Sequence, residues 1–182
     1  EAIREDAVAI EGIDLNCITL RSGREVFDRM VGGQEFDVAE LSASEFFSLA
    51  GRGDCPFVAL PVFPSRVFRH GYIFVNTRRG IGGPKDLEGK RVGLPLYTQT
   101  AAIWARGHLT HQFDVDIDAI RWVQGAVETS GAHGRPHAPP LLRPARIEQN
   151  ASTEPLGALL ARGAIDALIG SRKPDEFGRH PD

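Results

Sequence analysis

Residues 13–20 alternate as Ile-Asp-Leu-Asn-Cys-Ile-Thr-Leu, the period-two pattern of a strand with one apolar face. Over residues 24–31 the spacing changes, and Val26, Phe27, Met30 and Val31 fall on one side of a helix that Gly32 and Gly33 then stop. Residues 36–41 read as a second short strand, after which Ser42 and Glu45 fit the S-x-x-E capping box of a helix running to about residue 50. The nearly unbroken apolar run 57–63 predicts a strand covered on both faces, and 71–76 another strand after a Pro-Ser-Arg turn. Residues 78–86 then carry Gly80, Gly82, Gly83 and Pro84, a composition shift that predicts a boundary between lobes 1–77 and 78–182.

Beyond that boundary the grammar restarts, with strands predicted over 91–94, 120–123, 145–147 and 167–169 and helices over 98–109 and 154–162. Residues 125–144 hold three Gly and four Pro, which predicts a long loop. Strands alternating with helices predict an α/β fold with mostly parallel sheets. Ligands of such sheets sit outside the carboxyl ends of the strands, so segments 41–45, 63–72, 95–101 and 170–174 are the places to search.

Composition narrows the function classes. The 182 residues are 42% hydrophobic and 25% charged, with a formal charge of −3. No apolar run approaches the roughly 18 residues of a membrane helix. No block of five or more Lys and Arg supports nucleic acid or anionic lipid as partner. A small molecule is the expected partner, and a homo-oligomer stays open. Cys17 and Cys55 have no metal-knuckle spacing and read as buried thiols. The chain starts at Glu1 without an initiator Met and without a basic-then-apolar signal segment, so a processed start or a fragment is expected.

The densest chemistry is the run from Phe63 to Tyr72, where Ser65, Arg66, Arg69, His70 and Tyr72 follow an apolar segment within ten residues. Guanidinium grips a carboxylate in paired hydrogen bonds, and imidazole exchanges a proton near neutrality, so the set suits an anionic substrate undergoing proton transfer. Solvated turn arginines and a satisfied histidine would give the same composition. Tyr97, Thr98 and Thr100 open a predicted helix whose free N–H groups favour an anion. Glu40, Ser42 and Ser44 occupy the equivalent corner of the first half, and Ser171 with Arg172 a fourth. Plain helix caps account equally well for the hydroxyls. Trp122 reads as core. His108 and His111 lack a third ligand, and His133 and His137 lie in the Pro/Gly loop, so neither metal nor cofactor is expected. No G-x-S-x-G, P-loop or G-x-G-x-x-G motif occurs.

Three stretches carry a family resemblance: EFDVAELSASE at 35–45, FVALPVFPSRVFRH at 57–70 and DLEGKRVGLPLYTQTAAIWARG at 86–107. They resemble the 4,5-dihydroxyphthalate decarboxylase family, over most of residues 12–170. The VFPSRVFRH run is the most specific part, whereas DLEGKRVG recurs among solute-binding relatives. The resemblance implies a cytoplasmic, two-lobed architecture similar to the type 2 periplasmic binding proteins, with a ligand cleft between lobes. It also implies that the chain is truncated at both ends, since family members are longer. The family pattern often has an acidic residue where this chain has Leu96, which leaves the exact diacid open.

The implied reaction is loss of CO₂ from a dihydroxylated aromatic dicarboxylate in aromatic catabolism. On this reading His70 is the general acid with Glu40 as second choice, Arg66 and Arg69 clamp the carboxylates, and Ser42, Thr98 and Thr100 line the anion site, with Ser44, Ser65, Tyr97 and Ser171 beside them. The rival reading is a non-catalytic binding protein for a small organic anion, which needs the arginines but no acid. A third is an inert piece whose missing segment carried part of the site.

Overall fold

The computed structural model describes residues 2, 4–5, 7–134 and 140–179. Its elements in chain order are α1 (Gly23–Gly33), α2 (Ala43–Arg52), β1 (Ile73–Val75), β2 (Arg91–Leu94), α3 (Thr100–Phe113), β3 (Arg121–Gln124), β4 (Ile147–Gln149), α4 (Leu156–Ala161) and β5 (Ala167–Ile169). The strands form one five-stranded α/β sheet in the order β1-β5-β2-β3-β4. All neighbours are parallel except β1 and β5, which run antiparallel with Ile73 opposite Ile169. Because β1 lies before residue 78 and pairs with β5, this sheet draws on both sides of the expected boundary.

Period-two alternation explains how the sheet buries both faces. Val92, Leu94, Trp122, Ala167 and Ile169 face one cluster with Ala102, Ala105 and Leu109 of α3. Val123 and Leu168 face the other, with Leu156 and Leu159 of α4 and Ile165. Gly93 stands between them on β2, where an added Cβ would lie 2.6 Å from Ile165 Cδ1, so the absence of a side chain lets the α4 layer approach the sheet. Three alanines on the buried side of α3, Ala101, Ala102 and Ala105, do the same on the opposite face.

One buried carboxylate ties the sheet's lower rim together. Asp166 accepts from Arg79 Nε at 2.6 Å and from the Arg91 backbone N–H at 2.8 Å. Burial alone would raise its carboxyl, but the Arg91 amide and the Arg79 guanidinium outweigh it and hold the group below its ordinary value of 3.8. A depressed carboxylate contributes stability that is complete above its unfolded value and is lost as pH falls through the folded one. The melting temperature is therefore expected to drop below about pH 4. Asp166→Asn should remove that acid limb and destabilise the fold by about 1–3 kcal/mol at pH 7. Calorimetry across pH 2–7 on both proteins checks this, and superimposable acid limbs would refute it.

The first 72 residues contain the two helices and no strand among the described residues. Helix α1 runs through both Gly32 and Gly33, with Gln34 at φ 49° closing it, so the glycines do not stop it. The strands expected at 13–20, 36–41 and 57–63 are extended coil. Their apolar side chains lie open, with Ile13 58%, Val58 89% and Leu60 62% exposed. A strand needs a neighbour for its N–H and C=O groups, and these segments have none. The same openness corrects the expectation of two buried thiols: Cys17 is exposed and Cys55 half-buried. The capping box is also corrected, because Ser42 makes no side-chain cap bond and Glu45 turns instead into the protein to meet Arg24.

Candidate active site

The antiparallel pairing of β1 brings the residues preceding it next to those following β5. Arg69 Nη1 donates to the Ser171 carbonyl at 3.1 Å, and the Gly170 N–H donates to the Tyr72 carbonyl at 3.0 Å. The Arg69 guanidinium lies 5.4 Å from the Tyr72 ring centroid. His70 stacks on His108 of α3 with centroids 3.9 Å apart and rings inclined by 28°. Its Nε2 is 2.9 Å from Gln112 Oε1. The contact engages one ring nitrogen of His70 with the Gln112 amide. Burial and the neighbouring His70 both lower the His108 imidazole below its usual range.

Behind these three cationic and imidazole groups opens a chamber of about 280 Å³, bounded by Ile73, Val75, Ile81, Leu87, Leu109 and Phe113 among others. No acidic side chain lines it. The expected acid and one expected clamp thus stand together at the mouth of a concave site.

A second group forms where the starts of α2 and α3 meet. Ser42 Oγ lies 3.1 Å from Ser44 Oγ and 3.0 Å from Thr100 Oγ1, and the Ser44 N–H donates to Thr100 Oγ1 at 3.1 Å. The hydroxyls answer one another. The helix rise of about 1.5 Å per residue puts Thr100 about 12 Å along α3 from His108, on which His70 stacks, so this cluster and the His70 stack are separate places. Tyr97 belongs with the core beneath: its ring meets Trp122 edge-on at 5.7 Å, and Arg106 sits 3.6 Å above it. Its N–H donates to Gln124 Oε1 at 2.8 Å, so that helix-start donor is not free. Burial lowers the Arg106 guanidinium, with Tyr97 working against it.

Ser65 and Arg66 lie on exposed coil, without a hydrogen-bond or ion-pair partner among the described residues. Glu40 is exposed, Thr98 half-buried, and Ser171 exposed, offering its carbonyl rather than its hydroxyl to Arg69.

Two features go beyond what the sequence suggested. His108 and Gln112 flank His70; their i,i+4 spacing is a signal in the sequence, but the helix expected over 98–109 stops short of Gln112, and His108 pairs there only with His111. The other is a buried ionic knot, in which Arg24 Nη2 reaches both Glu45 oxygens at 2.9 and 3.0 Å and Asp28 at 2.7 Å. Beside it, burial and the Arg24 charge lower the His133 imidazole. At Gly134 an added Cβ would fall 2.5 Å from the Arg24 side chain, so the backbone at residue 134 lies directly against α1. His137 lies outside the described residues.

A mostly parallel sheet with a chamber sized for a small molecule, rimmed by guanidinium and imidazole, places the chain among α/β proteins with a concave small-molecule site. The chain is 37% identical over 188 aligned positions to a 4,5-dihydroxyphthalate decarboxylase of Comamonas testosteroni, covering 96% of this chain and 52% of that protein. It is 38% identical over 177 positions to a 4,5-dihydroxyphthalate decarboxylase of Pseudomonas putida, covering 96% of this chain and 67% of that protein. The chain belongs to the 4,5-dihydroxyphthalate decarboxylase family. It spans about half the length of the first relative and two thirds of the second. No family model matches it. No helix among the described residues is long and apolar enough to cross a membrane.

Proposed function

We propose that the protein is a carboxy-lyase that removes CO₂ from 4,5-dihydroxyphthalate or a close dihydroxylated aromatic dicarboxylate. The observation that carries this reading, beyond family membership, is the juxtaposition of Arg69 and the stacked, hydrogen-bonded His70 at one chamber mouth.

The chemistry follows from the substrate class. A ring hydroxyl pushes electron density into the ring, and the His70 imidazolium delivers its proton to the carbon bearing the departing carboxylate. The bond from that carbon to the carboxylate then breaks, its electron pair restores the aromatic ring, CO₂ leaves, and solvent reprotonates His70. Arg69 grips the retained carboxylate, and Arg66, whose guanidinium is free among the described residues, is the candidate for a second grip. Binding confined to the retained group speeds the chemical step, because gripping both carboxylates equally would lower KM without raising kcat. Glu40 remains the alternative acid. In this reading Ser171 contributes by fixing Arg69, and Ser42, Ser44 and Thr100 join α2 to α3. Ser65, Tyr97 and Thr98 stay as candidate substrate contacts. The two-lobed architecture, with lobes 1–77 and 78–182, and a cytoplasmic location belong to the same proposal.

The test is incubation of a chain of the relatives' full length with 4,5-dihydroxyphthalate, with and without a chelator, following 3,4-dihydroxybenzoate and CO₂. Release of CO₂ that the chelator does not suppress supports the mechanism; binding without release assigns the protein to anion binding instead. Arg69→Ala in that chain is expected to weaken substrate binding by about 1.5–3 kcal/mol, roughly 10- to 150-fold, through loss of a charged hydrogen bond. Titration calorimetry reads this directly, and affinity within twofold of the parent would remove Arg69 from the clamp.

A further inference from the structure

We infer that the chamber behind Arg69, His70 and His108 is a binding site for carboxylates with an apolar tail, the carboxylate on Arg69 and the tail inside. The chamber's volume is about 280 Å³, and its apolar lining includes Leu87, Ala105 and Leu109, which are buried, and Ile81 and Phe113, which are partly open. Its charged and imidazole side chains are Arg69, His70 and His108, and the backbone of Gly82 and Gly83 also lines it. Arg69 contacts the Ser171 carbonyl and the Tyr72 ring, and no carboxylate among the described residues pairs with it. His70 has one nitrogen committed to Gln112, and His108 is held towards its neutral form by burial and by His70. An unneutralised guanidinium beside a mainly apolar lining selects an amphipathic anion.

The same interior rejects the hydroxylated end of the proposed substrate. With a carboxylate on Arg69, hydroxyls on the far side of a ring would meet Leu87, Leu109 and Phe113, whose side chains offer no acceptor. Each would weaken binding about tenfold or more, whereas an alkyl group in that position gains about fourfold per buried methylene. Apolar-tailed carboxylates therefore compete with substrate for Arg69 while occupying space the substrate leaves empty. This competition rests on the decarboxylase reading, while the binding itself does not.

The probes are benzoate, 4-methyl-, 4-ethyl- and 4-propylbenzoate, and 4-hydroxybenzoate, titrated calorimetrically into the chain. Affinity should rise about fourfold for each added carbon until the chamber fills, and 4-hydroxybenzoate should bind at least tenfold more weakly than the 4-methyl compound. Ala105→Leu fills the chamber from α3 and should abolish the rise. Should that variant fail to fold, Val75→Asn places an amide in the wall from an edge-strand position that is 36% exposed and should flatten the rise. Equal affinities across the series would overturn the site, and so would a rise unchanged in a folded variant, which would put the tails on the open apolar residues of 57–68 instead. In a chain of full length, 4-propylbenzoate should inhibit CO₂ release competitively. An intact binding series without inhibition would keep the chamber and remove Arg69 from the substrate clamp. A flat series beside Arg69-dependent turnover would keep the enzyme and remove the chamber.

Discussion

Replacing His70 by alanine in a chain of the relatives' full length is expected to lower CO₂ release by a factor of about 10²–10⁴, the usual contribution of a positioned general acid. Affinity for the dicarboxylate should stay within about tenfold, because the guanidinium groups carry the charge attraction. That separation of turnover from binding distinguishes proton delivery from a merely structural histidine. The side chain is exposed, so its removal opens no core cavity. It stacks on one imidazole and meets one amide, and both partners stand on α3, which is anchored independently through Ala102, Ala105 and Leu109. Single-turnover measurement of CO₂ alongside calorimetric binding reads both quantities. Turnover unchanged in the variant would shift the acid role to Glu40 or elsewhere.

The second large effect is on the fold. Trp122 is 1% exposed and lies between the sheet and α3, edge-on to Tyr97 and within 5.9 Å of the Arg106 guanidinium. Trp122→Ala should destabilise the protein by about 3–5 kcal/mol, combining lost transfer energy with the cavity left behind. Against total stabilities of about 5–15 kcal/mol for ordinary domains, that is at least about a fifth of the whole. The loss also strips Arg106 of part of the aromatic surface that compensates its burial. Urea unfolding should show a lowered midpoint with unchanged slope, and a loss below about 1 kcal/mol would mean that Trp122 does not organise this core.

The half of the chain after residue 78 was readable because its apolar runs have neighbours. Strands β2 and β5 fall where the pattern placed them, each a short buried run bounded by Pro, Gly or charge. Helix α3 starts two residues later than expected because Gln99 remains extended, and it runs on to Phe113, where Asp114 takes a left-handed turn at φ 54°. In the first half the alternation at 13–20 and the apolar run at 57–63 express a preference for strand that no adjacent strand completes. Periodicity describes one segment and cannot supply its partner. The site shows the same division. The search at carboxyl ends of strands named 63–72 as the end of a strand at 57–63 that does not form; Arg69 meets Ser171 because β1 runs antiparallel to β5 and brings its amino end there. The His70 contact with His108 and Gln112 depends on the angle at which α3 crosses the sheet, and no local pattern encodes that angle.

Helix α3 carries a hydroxyl knot at one end and an imidazole stack near the other, and a helix neither stretches nor shortens appreciably. It therefore acts as a fixed ruler. A molecule the size of a single aromatic ring, under about 10 Å across, touches one mark or the other and never both. Only a two-headed compound with a spacer of about 12 Å, the rise from Thr100 to His108, could bridge them, which makes the pair a calibrated gauge for bivalent inhibitors.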